Sequence, residues 1–404
     1  MTNLKIGKVD KRLKAKIKIT GSKSESNRLL ILQKFYPELK IKNLSNSDDS
    51  KVMQKALSSP EELVNIGHAG TAMRFLTAYF AGKEGRATIL TGSDRMRNRP
   101  IKILVNALRS LGADISYLEK EGYPPLKIQG RKLTKSRVNI DGNVSSQYIS
   151  ALLLIGGRLP RGLELEFIGK VTSVPYIKMT LKLLAEIGVK TTWEGNVIKV
   201  FPQEKIEAKT VVVESDWSSA SYYFSYAALS PGAEIRLSSY KSNSLQGDAV
   251  LQEIYKNLGV MSSIKGNTLT INNTGNIRKE ALNGLNLVGA PDIAQTIAVT
   301  CLGLNIPCYL TGLHTLKIKE TDRLMALKIE IEKFGGQVAL TDETLKLTPV
   351  SRLKSGVLVE TYDDHRMAMA FAPLALKTEL EIFEPEVVSK SYPTFWQDFY
   401  ELTS

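Results

Sequence analysis

The segment KIKETDRLMALKIE places Lys317, Lys319, Glu320, Asp322 and Arg323 within seven residues at the start of an amphipathic helix. Acids set among bases in this way form either a surface ion-pair ladder or a proton-transfer group between anion clamps. YDDHRMAMAFAPLAL sets Asp363, Asp364, His365 and Arg366 before a strongly apolar helix. Charges adjoining a buried helix are less readily explained as mere solvation, because an unpaired buried charge is costly. ITGSKSESNRLLILQKF runs from strand through polar loop to helix. Ser22, Ser24 or Ser26 can cap that helix, and its free N–H groups with Lys23 and Arg28 form a seat for an anion. It is not a Walker A loop, because the preceding glycine spacing is absent.

Four weaker segments follow the same logic. IGHAGTAMRFL brings Gly67 and Gly70 to a helix start, where small residues let a ligand approach the backbone. TGSDRMRNRPIKIL holds Arg95, Arg97 and Arg99 before Pro100, and arginine pairs bidentately with carboxylate or phosphate. DGNVSSQYISALLL offers the neutral donors Ser145, Ser146 and Gln147 at a helix start. VVSKSYPTFW presents Lys390 between strand-like and aromatic residues. Taken singly, each is equally an ordinary cap, junction or solvated loop.

The elements that must position these residues repeat. NALRSLGADISYL, KLLAEIGVKTTW, EIYKNLGVMSSI and IEIEKFGGQVAL are each a helix, a glycine cap and a strand. The capping glycines are Gly112, Gly188, Gly259 and Gly335, separated by 76, 71 and 76 residues. Glycine is what a left-handed C-cap requires. Three copies continue through a turn into a second alternating strand: EGNVIKVFP, KGNTLTINN and TDETLKLTP. The Gly-Asn pairs suit tight hairpins. The first copy has EGYPPLKIQG there. The chain of 404 residues leaves room for about six such units. Helices at 48–57 and 366–376 fit degenerate copies, and an alternating strand is expected over 13–19. A duplicated α/β unit in two domains is therefore expected.

Composition narrows the function classes. Hydrophobic residues make up 43% and charged residues 24%, as in a globular protein with a real core. No run reaches the roughly 18 apolar residues of a membrane span, and the basic N-terminus lacks a signal-peptide apolar region. Cys301 and Cys308 sit in an apolar stretch without a C-x-x-C partner and read as buried thiols. His68, His314 and His365 lack metal-ligand spacing, so no metal is expected. A cytoplasmic, monomeric protein fits. The net charge of +13 allows nucleic acid, membrane surface or small anions as partners. The bases recur singly in separate polar segments, which favours small anions over nucleic acid or membrane.

The motifs GSKSESNR, HAGTAMR, DRMRNRP, DGNVSSQ, VPY, ESDWSSASY, NSLQGD, PD, IKETDR, DDHRMAM and SKSYPTF occur in one order. Together they resemble the EPSP synthase family of enolpyruvyl transferases over nearly the whole chain. The resemblance implies an α/β inside-out barrel of six βαβαββ repeats, three in each of two domains. It implies a first, discontinuous domain over 1–19 and 215–404, a second over 20–214, and an active site in the interdomain cleft. It implies transfer of the enolpyruvyl group of phosphoenolpyruvate to the 5-hydroxyl of shikimate 3-phosphate in aromatic amino acid biosynthesis. No cofactor is implied.

Residue roles follow from the same resemblance. Lys23, Asp292 and Glu320 would be catalytic, Asp292 as base for the attacking hydroxyl and Glu320 as acid–base at the vinyl carbon. Lys23, His68, Gly70, Arg95, Arg323, Arg366 and Lys390 would hold phosphoenolpyruvate. Lys23, Ser24, Arg28, Ser145, Ser146, Gln147, Ser173, Tyr176, Asp292 and Lys319 would hold shikimate 3-phosphate. This chain departs from the usual pattern at His68 (for Asn), Phe75 (for Pro), Val174 (for Lys) and Thr315 (for Asn). Gly70 matches members sensitive to glyphosate. The sister transferase acting on UDP-N-acetylglucosamine is the alternative, but it carries a reactive cysteine in its first half and this chain has none before Cys301. A polyanion-binding protein would explain the charge but not the acids at 292, 320 and 364.

Overall fold

The computed structural model describes residues 2–10, 12–171, 174–319 and 321–404. The chain divides into two compact units, one of Gly21–Val213 and one of Met1–Thr20 with Glu214–Ser404.

In the unit of Gly21–Val213 the helices are α1 (Lys23–Phe35), α2 (Asp48–Ser58), α3 (Gly70–Ala81), α4 (Asp94–Arg97), α5 (Lys102–Ser110), α6 (Ser146–Gly156) and α7 (Val174–Glu186). Strand Leu63–Asn65 runs parallel to Ala87–Thr91, which pairs antiparallel with Leu126–Gln129, and that strand with Asp114–Tyr117. The next sheet repeats this plan. Arg137–Asp141 runs parallel to Leu163–Ile168, followed by the antiparallel hairpin of Val197–Val200 and Thr191–Glu194. The hairpin turn is Gly195-Asn196, with Gly195 at φ 57°. Leu39–Lys42 and Lys209–Val212 form a parallel pair.

The other unit holds α8 (Trp217–Leu229), α9 (Leu251–Lys256), α10 (Ala294–Leu304), α11 (Arg323–Lys333), α12 (His365–Phe371) and α13 (Phe395–Thr403). Here the plan appears twice more. Asn283–Asn286, Cys308–Thr311, Leu345–Thr348 and Gln337–Leu340 form one copy. The other begins with the strand Lys14–Ile17, parallel to Glu234–Ser238, which continues into Thr268–Ile277 and Leu258–Lys265. A shortened sheet joins Asn3–Ile6, Leu380–Phe383 and Val357–Val359. Among the described residues, four full βαβαββ copies and two abbreviated ones can be traced.

The sequence explains which layer lies inside. Strand Arg137–Asp141 exposes Arg137, Asn139 and Asp141 and buries Val138 and Ile140, so its sheet has one polar face. Helix α6 reads SQYISALLLIG and buries everything but Gln147; α3 and α8 are almost as completely enclosed. Helices apolar all round belong inside a core. Within each unit they pack on one another, α3 on α6 and α6 on α7, α8 on α10 and α10 on α12. The sheets are the outer layer, which is the inside-out arrangement.

Gly112, Gly188, Gly259 and Gly335 all take positive φ, at 103°, 90°, 79° and 101°. At 112, 188 and 335 that conformation ends the helix and turns the chain into its strand, whereas Gly259 does not cap its helix: α9 ends at Lys256, and Gly259 lies within the strand Leu258–Lys265 at a bulge. Two further expectations need correction. The helix over 366–376 is α-helical only to Phe371 and continues as a 3₁₀ segment, Ala372–Leu376, because Pro373 has no N–H to donate. The strand over 13–19 is a ladder only at Lys14–Ile17, and a further strand, Asn3–Ile6, precedes it.

Candidate active site

The residues singled out from the sequence fall into two sets, one in each unit. In the unit of Gly21–Val213, Lys23 opens α1 and its Nζ lies 3.3 Å from the carboxylate of Asp49 on α2. Asp49 is buried and acidic at a helix start, where a negative charge is favoured. Ser24 follows, half-buried. Arg28 is buried and donates from Nε to Thr180 Oγ1 (2.7 Å), from Nη1 to Ser24 O (2.8 Å) and from Nη2 to Ser150 Oγ (3.1 Å). Its guanidinium also lies over the Phe75 ring, 5.4 Å from the centroid. Burial pushes its pKa down to about 10, against the opposing influence of Tyr176 and Glu25. Arg28 thus ties α1 to α6 and α7, and phenylalanine at 75 supplies the face it rests on.

Ser145 caps α6 by accepting from Gln147 N–H at 3.3 Å, and Ser146 is buried beside it. Gln147 reaches back and donates to Thr71 Oγ1 on α3 at 3.3 Å. Gly70 is the first residue of α3. His68 Nδ1 lies 2.8 Å from Ser93 Oγ, and Ser93 caps α4, on which Arg95 stands exposed. Tyr176 occupies the first turn of α7, half-buried. Ser173 lies outside the described residues.

In the other unit the clustering is tighter. Asp292 pairs with Arg323 Nη1 at 3.0 Å, Arg366 Nη2 at 3.3 Å and Lys319 Nζ at 3.6 Å. Two separate segments, Lys319–Arg323 and the start of α12, therefore converge on one carboxylate. Arg323, 2% exposed, also grips Asp364 through two bonds, Nε to Oδ2 at 2.6 Å and Nη2 to Oδ1 at 3.3 Å. Asp364 in turn caps α12 by accepting from Arg366 N–H. Arg366 donates to Asp292 O (3.1 Å) and to Ser218 Oγ (3.3 Å), and Ser218 hydrogen-bonds Asp248. The surrounding acids raise the Arg366 pKa, Asp292 most, although burial opposes them. Burial, then the Asp292 charge, pushes Asp248 up to about 7. Lys390 closes the 3₁₀ segment Pro385–Lys390 and is half-buried. Glu320 lies outside the described residues. Thr315, where the family usually has Asn, has a buried Oγ1 with no hydrogen-bond partner among the described residues.

The sequence marks Asp364 as an acid beside an apolar helix without giving its partner, and it does not single out Asp49, Ser218 or Asp248, although these stand in or beside polar runs at helix starts. The available signal was an acid bordering an apolar helix, as in DDHRMAM and NSLQGD. Such a signal does not reveal the partner, because Asp364 and Arg323 are 41 residues apart.

Repeated βαβαββ sheets around enclosed helices, with an arginine–aspartate cluster at helix starts, define the class as an enolpyruvyl-transferase-type α/β enzyme. A family model described as EPSP synthase (3-phosphoshikimate 1-carboxyvinyltransferase) matches residues 54–399. The chain belongs to the EPSP synthase family. It is 46% identical to the 3-phosphoshikimate 1-carboxyvinyltransferase of Bacteroides fragilis strain YCH46, over 96% of this chain and 95% of that one. It is 35% identical to the enzyme of that name from Haemophilus influenzae strain PittGG, over 96% of each. The EPSP synthase structure from Acinetobacter baumannii shares the fold, with a TM-score of 0.79 at 21% identity, covering 99% of this chain and 98% of that one.

Proposed function

We infer that the chain is a 3-phosphoshikimate 1-carboxyvinyltransferase of the shikimate pathway, joining phosphoenolpyruvate to shikimate 3-phosphate with release of phosphate. The observation that carries the mechanistic reading is the convergence of Lys319, Arg323 and Arg366 on Asp292. A carboxylate so surrounded can accept a proton from a substrate hydroxyl while the cations hold substrate anions. The two substrates carry roughly five to six negative charges, counting each phosphate at about −1.5 to −2. Lys23, Arg28, Arg95, Lys319, Arg323, Arg366 and Lys390 supply the opposing charge.

In this reading Asp292 takes the proton of the 5-hydroxyl, and the oxygen bonds to C2 of phosphoenolpyruvate. Glu320 protonates C3, giving a tetrahedral phosphoketal. Loss of a C3 proton then restores the double bond as the bond from C2 to the phosphate oxygen breaks. Ser145, Ser146 and Gln147 hold the shikimate phosphate, and His68 contacts phosphoenolpyruvate. The enzyme acts as a cytoplasmic monomer and is inhibited by glyphosate, less so in Gly70→Ala. None of its described helices is long and apolar enough to cross a membrane. The deciding measurement is phosphate release by the purified chain. Release that requires both substrates supports the reading; release with either alone, or none with both, overturns it.

A further inference from the structure

Several surface bases of the unit of Met1–Thr20 and Glu214–Ser404 have an acid beside them. Lys5 pairs with Glu381 at 3.4 Å, Lys333 with Glu330 at 2.8 Å and Lys317 with Asp342 at 2.7 Å. Four others differ. Lys8, Arg352, Lys354 and Lys377 line one groove of about 810 Å³, and among the described residues no hydrogen bond or ion pair engages their side chains. Glu379, the one carboxylate among the residues lining the groove, accepts from Ser355 Oγ at 3.1 Å instead. Partial burial, then the charge of Lys8, pushes the Lys377 ammonium down from its ordinary value. Lys8 and Lys377 are thus near enough to repel each other, and an anion seated between them relieves that repulsion.

Main-chain bonds hold together the three segments that carry these bases. Val9 N–H donates to Ala375 O (2.8 Å), Lys354 N–H to Phe334 O (3.0 Å), Lys377 N–H to Leu374 O (2.8 Å) and Thr378 Oγ1 to Lys354 O (3.4 Å). One wall is the C-terminal end of α10, whose Leu302 and Asn305 line the groove. At about 1.5 Å per residue, the 11 residues of α10 set the groove roughly 16 Å from the cluster around Asp292. Helix α11 also ends here, at Lys333 just before Phe334. A helix C-terminus draws cations with roughly half a charge, so the two ends account for about one of the four bases. Glu379 accounts for another. About two positive charges stay uncompensated, beside apolar surface from Leu302, Val350 and Leu353.

We propose that this groove is a separate, non-catalytic anion site for a small molecule that joins a polyphosphate to an apolar ring, the class of the nucleoside polyphosphates. Lys8, Lys354 and Lys377 meet the phosphates as point charges, and Arg352 forks a phosphate or stacks on the ring. A lone phosphate would answer the charge but leave the three apolar side chains in water. A neutral ring would leave the bases repelling one another. The groove also has the volume of a small-molecule site, several times that of one ion. It lies wholly within one compact unit and uses no residue of the candidate active site, so it stands apart from the function proposed above.

The test is calorimetric binding of magnesium-free ATP to the full chain at physiological ionic strength, where attraction to the overall +13 charge is screened beyond about 8 Å. ATP should bind at a saturable site, pyrophosphate should bind several-fold more weakly, and adenosine should not bind. Lys354→Glu combined with Lys377→Glu should weaken ATP binding by roughly 10–100-fold, as two charge-assisted contacts are lost. Lys132→Glu combined with Lys135→Glu makes the same charge change on exposed lysines of the other unit and should alter it by less than about twofold. Shikimate 3-phosphate should not displace ATP. Absence of saturable ATP binding would overturn the proposal. So would an equal loss in the two charge-reversed variants, which would assign the binding to bulk attraction, or displacement by shikimate 3-phosphate, which would place ATP at the substrate site. Pyrophosphate binding as tight as that of ATP would overturn the ring-bearing class. If the Lys354 and Lys377 variant does not fold by circular dichroism, Lys8→Gln combined with Arg352→Gln takes its place and is held to the same loss. No turnover is read, so a chain that released no phosphate would overturn the proposed function and leave this site standing.

Discussion

Asp364 holds Arg323 by two bonds and caps α12 through Arg366 N–H, so one carboxylate sets two cations of the cluster. Removing one partner of a buried pair leaves the other charge uncompensated, at about 3–5 kcal/mol. Asp364→Asn is expected to lower the urea midpoint accordingly and to raise the KM for phosphoenolpyruvate; an unaltered midpoint would count against this. Asp248 answers to pH instead. Its folded pKa, about 7, lies above the unfolded value near 4, so the folded state binds the extra proton between them. Its contribution to stability is fully present below about pH 4 and is lost as pH rises toward 7. Asp248→Asn should flatten the fall in Tm over that window; a wild-type slope in the variant would assign the effect to another group. Glu320→Gln keeps shape but not proton exchange, so kcat should drop about 10²–10⁴-fold with shikimate 3-phosphate still bound. Wild-type turnover in heavy water should also place deuterium in the vinyl product. Near-normal kcat in the variant, or no deuterium in the product, would argue against the addition–elimination route as drawn.

The repeated element was the most readable part of the chain, because it combines a 3.6-residue apolar period, a glycine cap and a two-residue period within a few turns. Gly335 sits at φ 101°, and a methyl group added there would meet only ordinary van der Waals neighbours, so Gly335→Ala isolates the conformational cost. That cost is about 1–2 kcal/mol, readable as a shift of the urea midpoint at constant slope. No shift would mean that the cap tolerates a side chain. The abbreviated copies were harder to read. Asn3–Ile6 is a four-residue edge strand whose partner, Leu380–Phe383, lies near the other end of the chain, and no local pattern announces such pairing. Site residues were legible as types at helix starts, but their pairings were not. Arg95, Arg97 and Arg99 look alike in sequence and differ only in what each side chain meets.

At the scale of the whole molecule, ligand binding is itself a stabilising force. Shikimate 3-phosphate at 100 times its Kd should add about 2.7 kcal/mol of stability. Hydrogen exchange should slow at residues 22–28 and 145–147 on its addition, and a uniform response along the chain would contradict the assigned contacts. The order of the strands has a further consequence. Lys14–Ile17 is the first strand of a sheet whose next strand begins at Glu234. During synthesis at about 5–20 residues per second, that strand waits about 10–45 s for its neighbour. Residues 21–213 meanwhile emerge complete, with all their own sheets. Once folded they bring their two ends together, for Asn43 Nδ2 donates to Val213 O at 2.9 Å and the Val213 side chain lies against Gly21. The inserted unit thereby closes in advance a loop of nearly two hundred residues, whose entropy the late-forming sheet would otherwise have to overcome.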